Sequence, residues 1–288
     1  MAPRPRRLYE CVPNISEGRD QALLDACARA VASAGVTLAH RTSDAAHNRS
    51  VFTFFGTDVA VRAAALALAR VTTARIDLRT HRGEHPRIGA LDVLPIVPFG
   101  SATMEDAVLL VRAIARDIWS GLGVPAYFYG AAASTERRRL LANLRAGGFE
   151  GLRGSGPREG PPDIGNVAAH PSAGAIACGA RPPLVAFNIV LETDDLAIAA
   201  AIARTIRERD GGLRTLRALG IAQSDGRVQV SCNVTDAGAT PLLRVLGVVR
   251  ALAEDAGTSV ARTELIGLVP RGALAAAAGI EVPTVRAQ

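Results

Sequence analysis

Eight residues, Leu184-Val185-Ala186-Phe187-Asn188-Ile189-Val190-Leu191, form a short and nearly continuous apolar run. A run of that length reads as a strand covered on both faces. The period changes directly after it. Thr193 offers an N-cap, and Ile198, Ile202 and Ile206 recur every fourth residue on one helix face. Residues 213–221 make a weaker strand, and Ser224-Asp225-Gly226 is a turn signal. Arg227–Val234 alternate strictly, as in a strand with one wet face. Thr240-Pro241 opens a helix with Pro at its first position, and Leu242, Val245, Leu246, Val249 and Leu252 face inward. Gly257 ends it, residues 259–269 read as a last strand, and a short Ala-rich helix starts near Arg271. The order is βαββαβ, the split arrangement of ferredoxin-like folds.

The first half also alternates. Strands are expected near Leu8–Val12, Val36–His40, Ser50–Gly56, Leu91–Val97 and Val124–Tyr129, and helices near Asp20–Ala34, Asp58–Thr73 and Met104–Gly121. A capping box, Thr103-Met104-Glu105-Asp106, opens the third helix. The segment from Gly151 to Pro162 is too rich in Gly and Pro for regular structure. No internal repeat is visible. The chain is therefore expected to be α+β, with one α/β subdomain over residues 1–180 and a ferredoxin-like one over 181–288.

Composition narrows the chemistry. Apolar residues make up 49% of the 288, but aromatics only 4%, so packing must rest on Ala, Leu, Val and Ile. The sequence contains no lysine, and all 33 basic residues are arginine. Schiff-base chemistry needs a primary amine and a Walker-type phosphate loop needs its lysine, so both are excluded. The net charge of +6 comes without a dense basic run interleaved with aromatics, which argues against nucleic acid. Arginine does suit an anionic small substrate, because its fork binds carboxylates bidentately. Cys11, Cys27, Cys178 and Cys232 show no Cys-x-x-Cys spacing and read as reduced and structural. No apolar run approaches the roughly 18 residues of a membrane span, and the basic N-terminus leads into Leu8-Tyr9-Glu10 without an apolar signal region. A cytoplasmic enzyme without membrane partners is the expectation.

Two of the five histidines fall in His81-Arg82-Gly83-Glu84-His85-Pro86-Arg87. Read literally, His81, Glu84 and His85 form an H-x-x-E-H zinc pattern. That chemistry needs a helix to bring both imidazoles to one face. Gly83 lies inside the segment, and Pro86 biases His85 away from the helical region. The segment therefore reads as a loop, stiffened by Pro86 and feeding the strand at Leu91, a place where catalytic groups commonly sit.

The residues of this loop and of several others resemble the formiminotransferase domain family. The most specific run is Gly83-Glu84-His85-Pro86-Arg87-Ile88-Gly89-Ala90-Leu91-Asp92-Val93. Glu10-Cys11-Val12-Pro13-Asn14-Ile15-Ser16-Glu17-Gly18-Arg19 and His47-Asn48-Arg49-Ser50-Val51 match before it. Val124–Gly130, Gly179-Ala180-Arg181, Ala186-Phe187-Asn188 and Gly267-Leu268-Val269-Pro270 match after it, in one collinear order. The resemblance implies formimidoyl transfer between N-formimidoyl-L-glutamate and N5 of tetrahydrofolate, with a folate channel between two subdomains and His85 as general acid and base. The attacking N5 loses a proton and the departing glutamate nitrogen gains one, and an imidazole can serve both steps. The tetrahedral centre is cationic, which calls for a carboxylate, with Asp44, Glu84 and Asp92 as candidates. Asn48 belongs to the matched substrate segment, and Arg49 and Arg87 are expected to clamp the donor's carboxylates. Folate contacts carry over to Gly165, Asn166, Val167, Ala168, Ala169, His170, Pro171, Ser172, Ala173 and Gly174, and to Gly212, Leu213 and Arg214, the last facing folate's anionic tail. The family implies a homodimer, no bound metal and, with no cyclodeaminase segment following, the stand-alone form.

Three departures bear on the donor. Thr42 stands where the family usually has an acid, Val190 replaces a polar residue in Asn188-Ile189-Val190-Leu191, and the folate stretch diverges through its middle. The alternatives are a folate-binding protein, a transferase acting on another amidine or formyl donor, and a zinc hydrolase using His81, Glu84 and His85.

Overall fold

A computed structural model describes residues 7–83, 86–154, 158, 160–223 and 225–278. The chain divides into two compact units, Met1–Arg181 and Pro182–Gln288. In chain order the first contains β1 (Arg7–Cys11), β2 (Asn14–Ile15), α1 (Gln21–Ala32), β3 (Thr37–Asp44), β4 (Arg49–Gly56), α2 (Asp58–Arg75), β5 (Leu91–Gly100), α3 (Met104–Leu122), β6 (Ala126–Gly130), α4 (Leu141–Arg145), α5 (Gly148–Arg153) and β7 (Ile176–Ala180). The second contains β8 (Val185–Leu191), α6 (Leu196–Ile206), β9 (Leu216–Ala222), β10 (Val228–Val234), α7 (Leu242–Asp255), β11 (Val260–Ile266) and α8 (Arg271–Ala277).

The first unit is built on one mixed sheet. β1 and β2 are two halves of a broken strand, both lying between β4 and β5. Pro13 sits in the break, where it has no N–H to offer the ladder; its carbonyl still accepts from Phe52 N at 3.0 Å. β3 adds antiparallel to β4, while β7 lies parallel to both β5 and β6. α1, α2 and α3 bury one face of this sheet. Leu23, Leu24, Leu68, Val111 and Ile114 pack there against Phe52, Phe54, Leu94 and Ile96. Ala64, Ala65 and Ala69 of α2 are fully buried. Small side chains let helices and sheet approach closely, which is how a core poor in aromatics reaches native density. Over part of the opposite face, Leu144 of α4 and Leu152 of α5 pack on Ile88, Val93, Tyr127 and Tyr129.

The second unit has βαββαβ order and a four-stranded antiparallel sheet in the order β11-β8-β10-β9. Ile202 and Ile206 of α6 and Val245 and Val249 of α7 meet Phe187, Ile189, Val230 and Cys232 in its core. The apolar run at 184–191 is the central strand β8, mostly buried on both faces. β10 alternates as expected, except that Gln229 on its polar face is also buried and bonded to Gln223 at 2.8 Å.

Four local expectations are corrected. Thr193 does not cap α6: its hydroxyl accepts from Asp195 N, and Asp195 caps the helix by accepting from Ala197 N at 2.8 Å. Pro241 stands at the N-cap of α7, one place before the first helical residue. The Gly-rich segment begins in a helix, α5, because Phe149 and Leu152 are buried anchors one turn apart. β7 was not anticipated: Ile-Ala-Cys-Gly-Ala lacks the β-branched, bulky pattern of an ordinary strand, yet it is buried throughout. The capping box at Thr103 is present, closed through Asp106.

The loop feeding β5 is stitched to the segment before β7. Ala175 N donates to Ile88 O at 2.8 Å and Ala90 N to Ala173 O at 2.8 Å. Gly89 faces Gly174 in this crossing, and a Cβ on Gly89 would lie 2.0 Å from the Ala175 carbonyl oxygen. Backbone on backbone cannot yield, so Gly89→Ala is expected to destabilise the protein by at least about 2 kcal/mol in urea unfolding, with loss of ligand affinity preceding unfolding.

Candidate active site

Glu84 and His85 lie outside the described residues, but the residues flanking them are firmly held. Gly83 packs against the turn before β4, where a Cβ would come within 2.4 Å of the His47 carbonyl oxygen. Asn48, in the left-handed region at φ 48°, ties three segments together. Its Oδ1 accepts from Gly18 N at 2.9 Å, and its Nδ2 donates to Arg82 O at 3.0 Å. Asparagine tolerates that backbone conformation better than most residues.

His81 is buried between Asn48 and Arg87. Its Nδ1 accepts from Arg87 Nε at 3.2 Å, which assigns the ring proton to Nε2, facing the Asn48 carbonyl at 3.2 Å. Burial lowers its pKa below the ordinary histidine value; the Asn48 carbonyl opposes this and the Arg87 charge adds to it. A neutral imidazole with both nitrogens engaged has no lone pair for a metal. That removes one ligand from the zinc pattern.

Arg87, expected as a carboxylate clamp, has its fork closed by Glu150 of α5. Nη1 meets Oε2 at 2.9 Å and Nη2 meets Oε1 at 2.8 Å. The same arginine's carbonyl accepts from Phe149 N at 2.9 Å. Arg87 thus fastens the loop to α5 while holding His81.

Arg49 and Asp92 form the buried centre. Asp92 is fully enclosed: its Oδ2 accepts from Arg49 Nη1 at 2.8 Å and Arg145 Nη2 at 2.6 Å, and its Oδ1 from Ile88 N at 2.8 Å. Gly89 N adds a longer contact at 3.3 Å. Burial alone would raise its pKa; the Arg145 and Arg49 charges and the Ile88 amide reverse this and hold it well below the usual carboxylate range. Arg49 is oriented from its other side by Asn14 Oδ1, at 3.1 Å from Nε and 2.8 Å from Nη2. Its own pKa is pushed down to about 10, chiefly by burial. Asp92, read from sequence as a possible partner of the cationic intermediate, has both oxygens committed within the protein.

Asp44, at the end of β3, is half exposed and pairs with His47, its Oδ2 lying 2.8 Å from Nδ1. Burial opposes its ionisation, but the hydrogen bonds and charge of His47 prevail and its pKa is lowered. The stretch Gly165–Gly174 is a folded loop and not an open linker. Tyr127 donates to Ala168 O at 3.1 Å, and His170 and Gly174 exchange backbone bonds. His170 Nδ1 also accepts from Ala173 N at 3.1 Å, while Asn166, Val167 and Pro171 are exposed. Gly212, Leu213 and Arg214 belong to the second unit, where Leu213 N bonds Ile206 O and Arg214 is exposed.

The structure therefore brings Asn48 and Arg87 onto His81, and Arg49 onto Asp92 beside them, joined through Ile88 of the same loop. Sequence reasoning missed Asn14, Arg145 and Glu150, which complete the cluster. Only Asn14 carried a signal, being inside a matched segment. Asp92→Asn leaves two buried guanidinium groups without a counter-charge and is expected to lose about 3–5 kcal/mol of stability at neutral pH. Because the folded pKa of Asp92 is depressed, its contribution is complete above the unfolded value near 4 and fades as pH falls further. Urea unfolding from pH 7 to pH 2 should show a shallower acid limb in the variant.

Residues 8–181 match the formiminotransferase domain, N-terminal subdomain, and residues 186–283 match the formiminotransferase domain. A glutamate formimidoyltransferase of Streptococcus pyogenes serotype M1 is 41% identical over 271 residues, covering 93% of this chain and 91% of that one. A glutamate formimidoyltransferase of Thermoplasma acidophilum is 39% identical, covering 93% and 89%. The formimidoyltransferase-cyclodeaminase of Gallus gallus is 40% identical over 94% of this chain, which spans 52% of that longer protein. No described helix is long and apolar enough to cross a membrane. The chain belongs to the formiminotransferase domain family, along both of its subdomains.

Proposed function

We propose that this chain transfers a formimidoyl group between N-formimidoyl-L-glutamate and N5 of tetrahydrofolate, with His85 as general acid and base. The observation that carries the reading is the collinear similarity, at 41% identity, to a stand-alone enzyme of that name over 93% of the chain. N5 of the pterin attacks the amidine carbon as its proton passes to His85. The C–N bond to glutamate then breaks, and the same proton goes to the departing nitrogen. Attack on the protonated amidine gives a tetrahedral carbon bearing three nitrogens, which is cationic until the N5 proton reaches His85. With Asp92 held by two arginines, Asp44 and Glu84 are the carboxylates left to stabilise it.

Arg49 is the preferred clamp for a donor carboxylate, with Asn48 fixing the turn that delivers it. Folate contacts are carried over from the family to Gly165–Gly174 and to Gly212–Arg214. The exposed residues of the first stretch and exposed Arg214 support that assignment. The strand order of the second unit supports reading it as ferredoxin-like. Four free, buried cysteines suit a reducing compartment such as the cytoplasm.

Purified protein should convert N-formimidoyl-L-glutamate and tetrahydrofolate to 5-formimidoyltetrahydrofolate, followed by absorbance. His85→Asn should lower turnover by about 10²–10⁴-fold with folate affinity retained. Full rate in that variant removes His85 from the chemistry. Tight folate binding without turnover on any amidine donor would leave a binding protein.

A further inference from the structure

Around Asp92 the charges do not balance. Among the described residues, one carboxylate faces two guanidinium groups, Arg49 at 2.8 Å and Arg145 at 2.6 Å, leaving one positive charge over in a largely desolvated setting. Burial of an unmatched charge is strongly unfavourable. Tyr129, buried beside them and pushed up to about 12 chiefly by that burial, stays neutral and supplies no compensation. The neighbouring pair Arg87–Glu150 is neutral in itself. A second observation points the same way. Arg145 Nε is buried without a hydrogen-bond partner, although most buried donors find one and a charged donor gains most from it. Arg145 is the last residue of α4, a five-residue helix followed directly by α5, so it is presented from outside the sheet onto the cluster.

We propose, on the donor reading given above, that Arg145 and Arg49 form a carboxylate-binding subsite, with Asp92 holding the two forks side by side. An incoming carboxylate supplies both the missing negative charge and the acceptor for Arg145 Nε. Arg145 thereby takes the second clamp position that sequence alone gave to Arg87, whose fork Glu150 already fills. The ligand class is a carboxylate, carried either by the amino-acid donor or by the glutamyl tail of folate.

The test compares wild type with Arg145→Gln. In steady state the variant should raise KM for N-formimidoyl-L-glutamate by about 10–100-fold while kcat changes far less. The effect should vanish for the donor amide lacking the recognised carboxylate, each of the two carboxylates being replaced in turn. If instead KM rises for tetrahydrofolate but not for a tail-less tetrahydropterin, the subsite reads the folate tail. Equal losses across every donor and both folates, or none, would overturn the subsite and leave Arg145 as a brace for α4. Calorimetric titration with glutarate tests the subsite without turnover: wild type should bind at least about 10-fold more tightly than the variant. If wild type shows this binding but no transfer, the proposed function fails and the subsite stands. If Arg145→Gln does not fold, Arg145→Lys, which keeps the charge but loses Nε and the fork, takes its place in the same comparisons.

Discussion

The first unit is organised around a carboxylate placed where a carboxylate is costly. Asp92 sits at the start of β5 with no exposure to solvent, and it is tolerable only because four groups from three directions meet it. Arg49 comes from β4, Arg145 from α4, and two amides from the loop that precedes β5. Removing Asp92 itself strands two buried guanidinium groups, so the arrangement depends on that one carboxylate. Through Arg49 the network reaches Asn14 in the broken strand; through the Ile88 amide it reaches the loop whose other residues hold His81.

That loop is fixed at both ends while carrying the two residues proposed for chemistry. On one side Gly83 leans on the turn at His47, and Asn48 bonds both Gly18 and Arg82. On the other, Arg87 is forked onto Glu150 and Gly89 crosses Gly174 at backbone distance. Rigid support of this kind is what a proton shuttle requires, since small errors of placement are expensive in rate. Arg87 and Asp92, which sequence suggested as substrate contacts, also form part of the support.

Much of this could be read from the chain beforehand, and the exceptions share a cause. Asp58–Arg75 was legible because its apolar residues recur at helical spacing, and Val185–Leu191 because its apolar run is nearly unbroken. β7 was not, since Gly179 is small to make room for the Tyr129 ring on the paired strand, and a run of Ala, Cys and Gly leaves no period. Thr193 and Asp195 are both competent caps, and only the placement of the first turn chooses between them. Arg145 is one of 33 arginines, in a five-residue helix with no pattern. Its meaning comes from Asp92, 53 residues away. Pairings over that range are set by the sheet's topology, which local periodicity does not encode.

The central claim is that the amino acid and the folate exchange one group directly, at a site built around these residues. Isotope exchange tests it without variants: labelled glutamate is incubated with unlabelled N-formimidoyl-L-glutamate and wild-type protein, with and without tetrahydrofolate. The account predicts that label enters N-formimidoylglutamate only when tetrahydrofolate is present. Exchange that proceeds equally without folate, or no exchange in its presence, would contradict it.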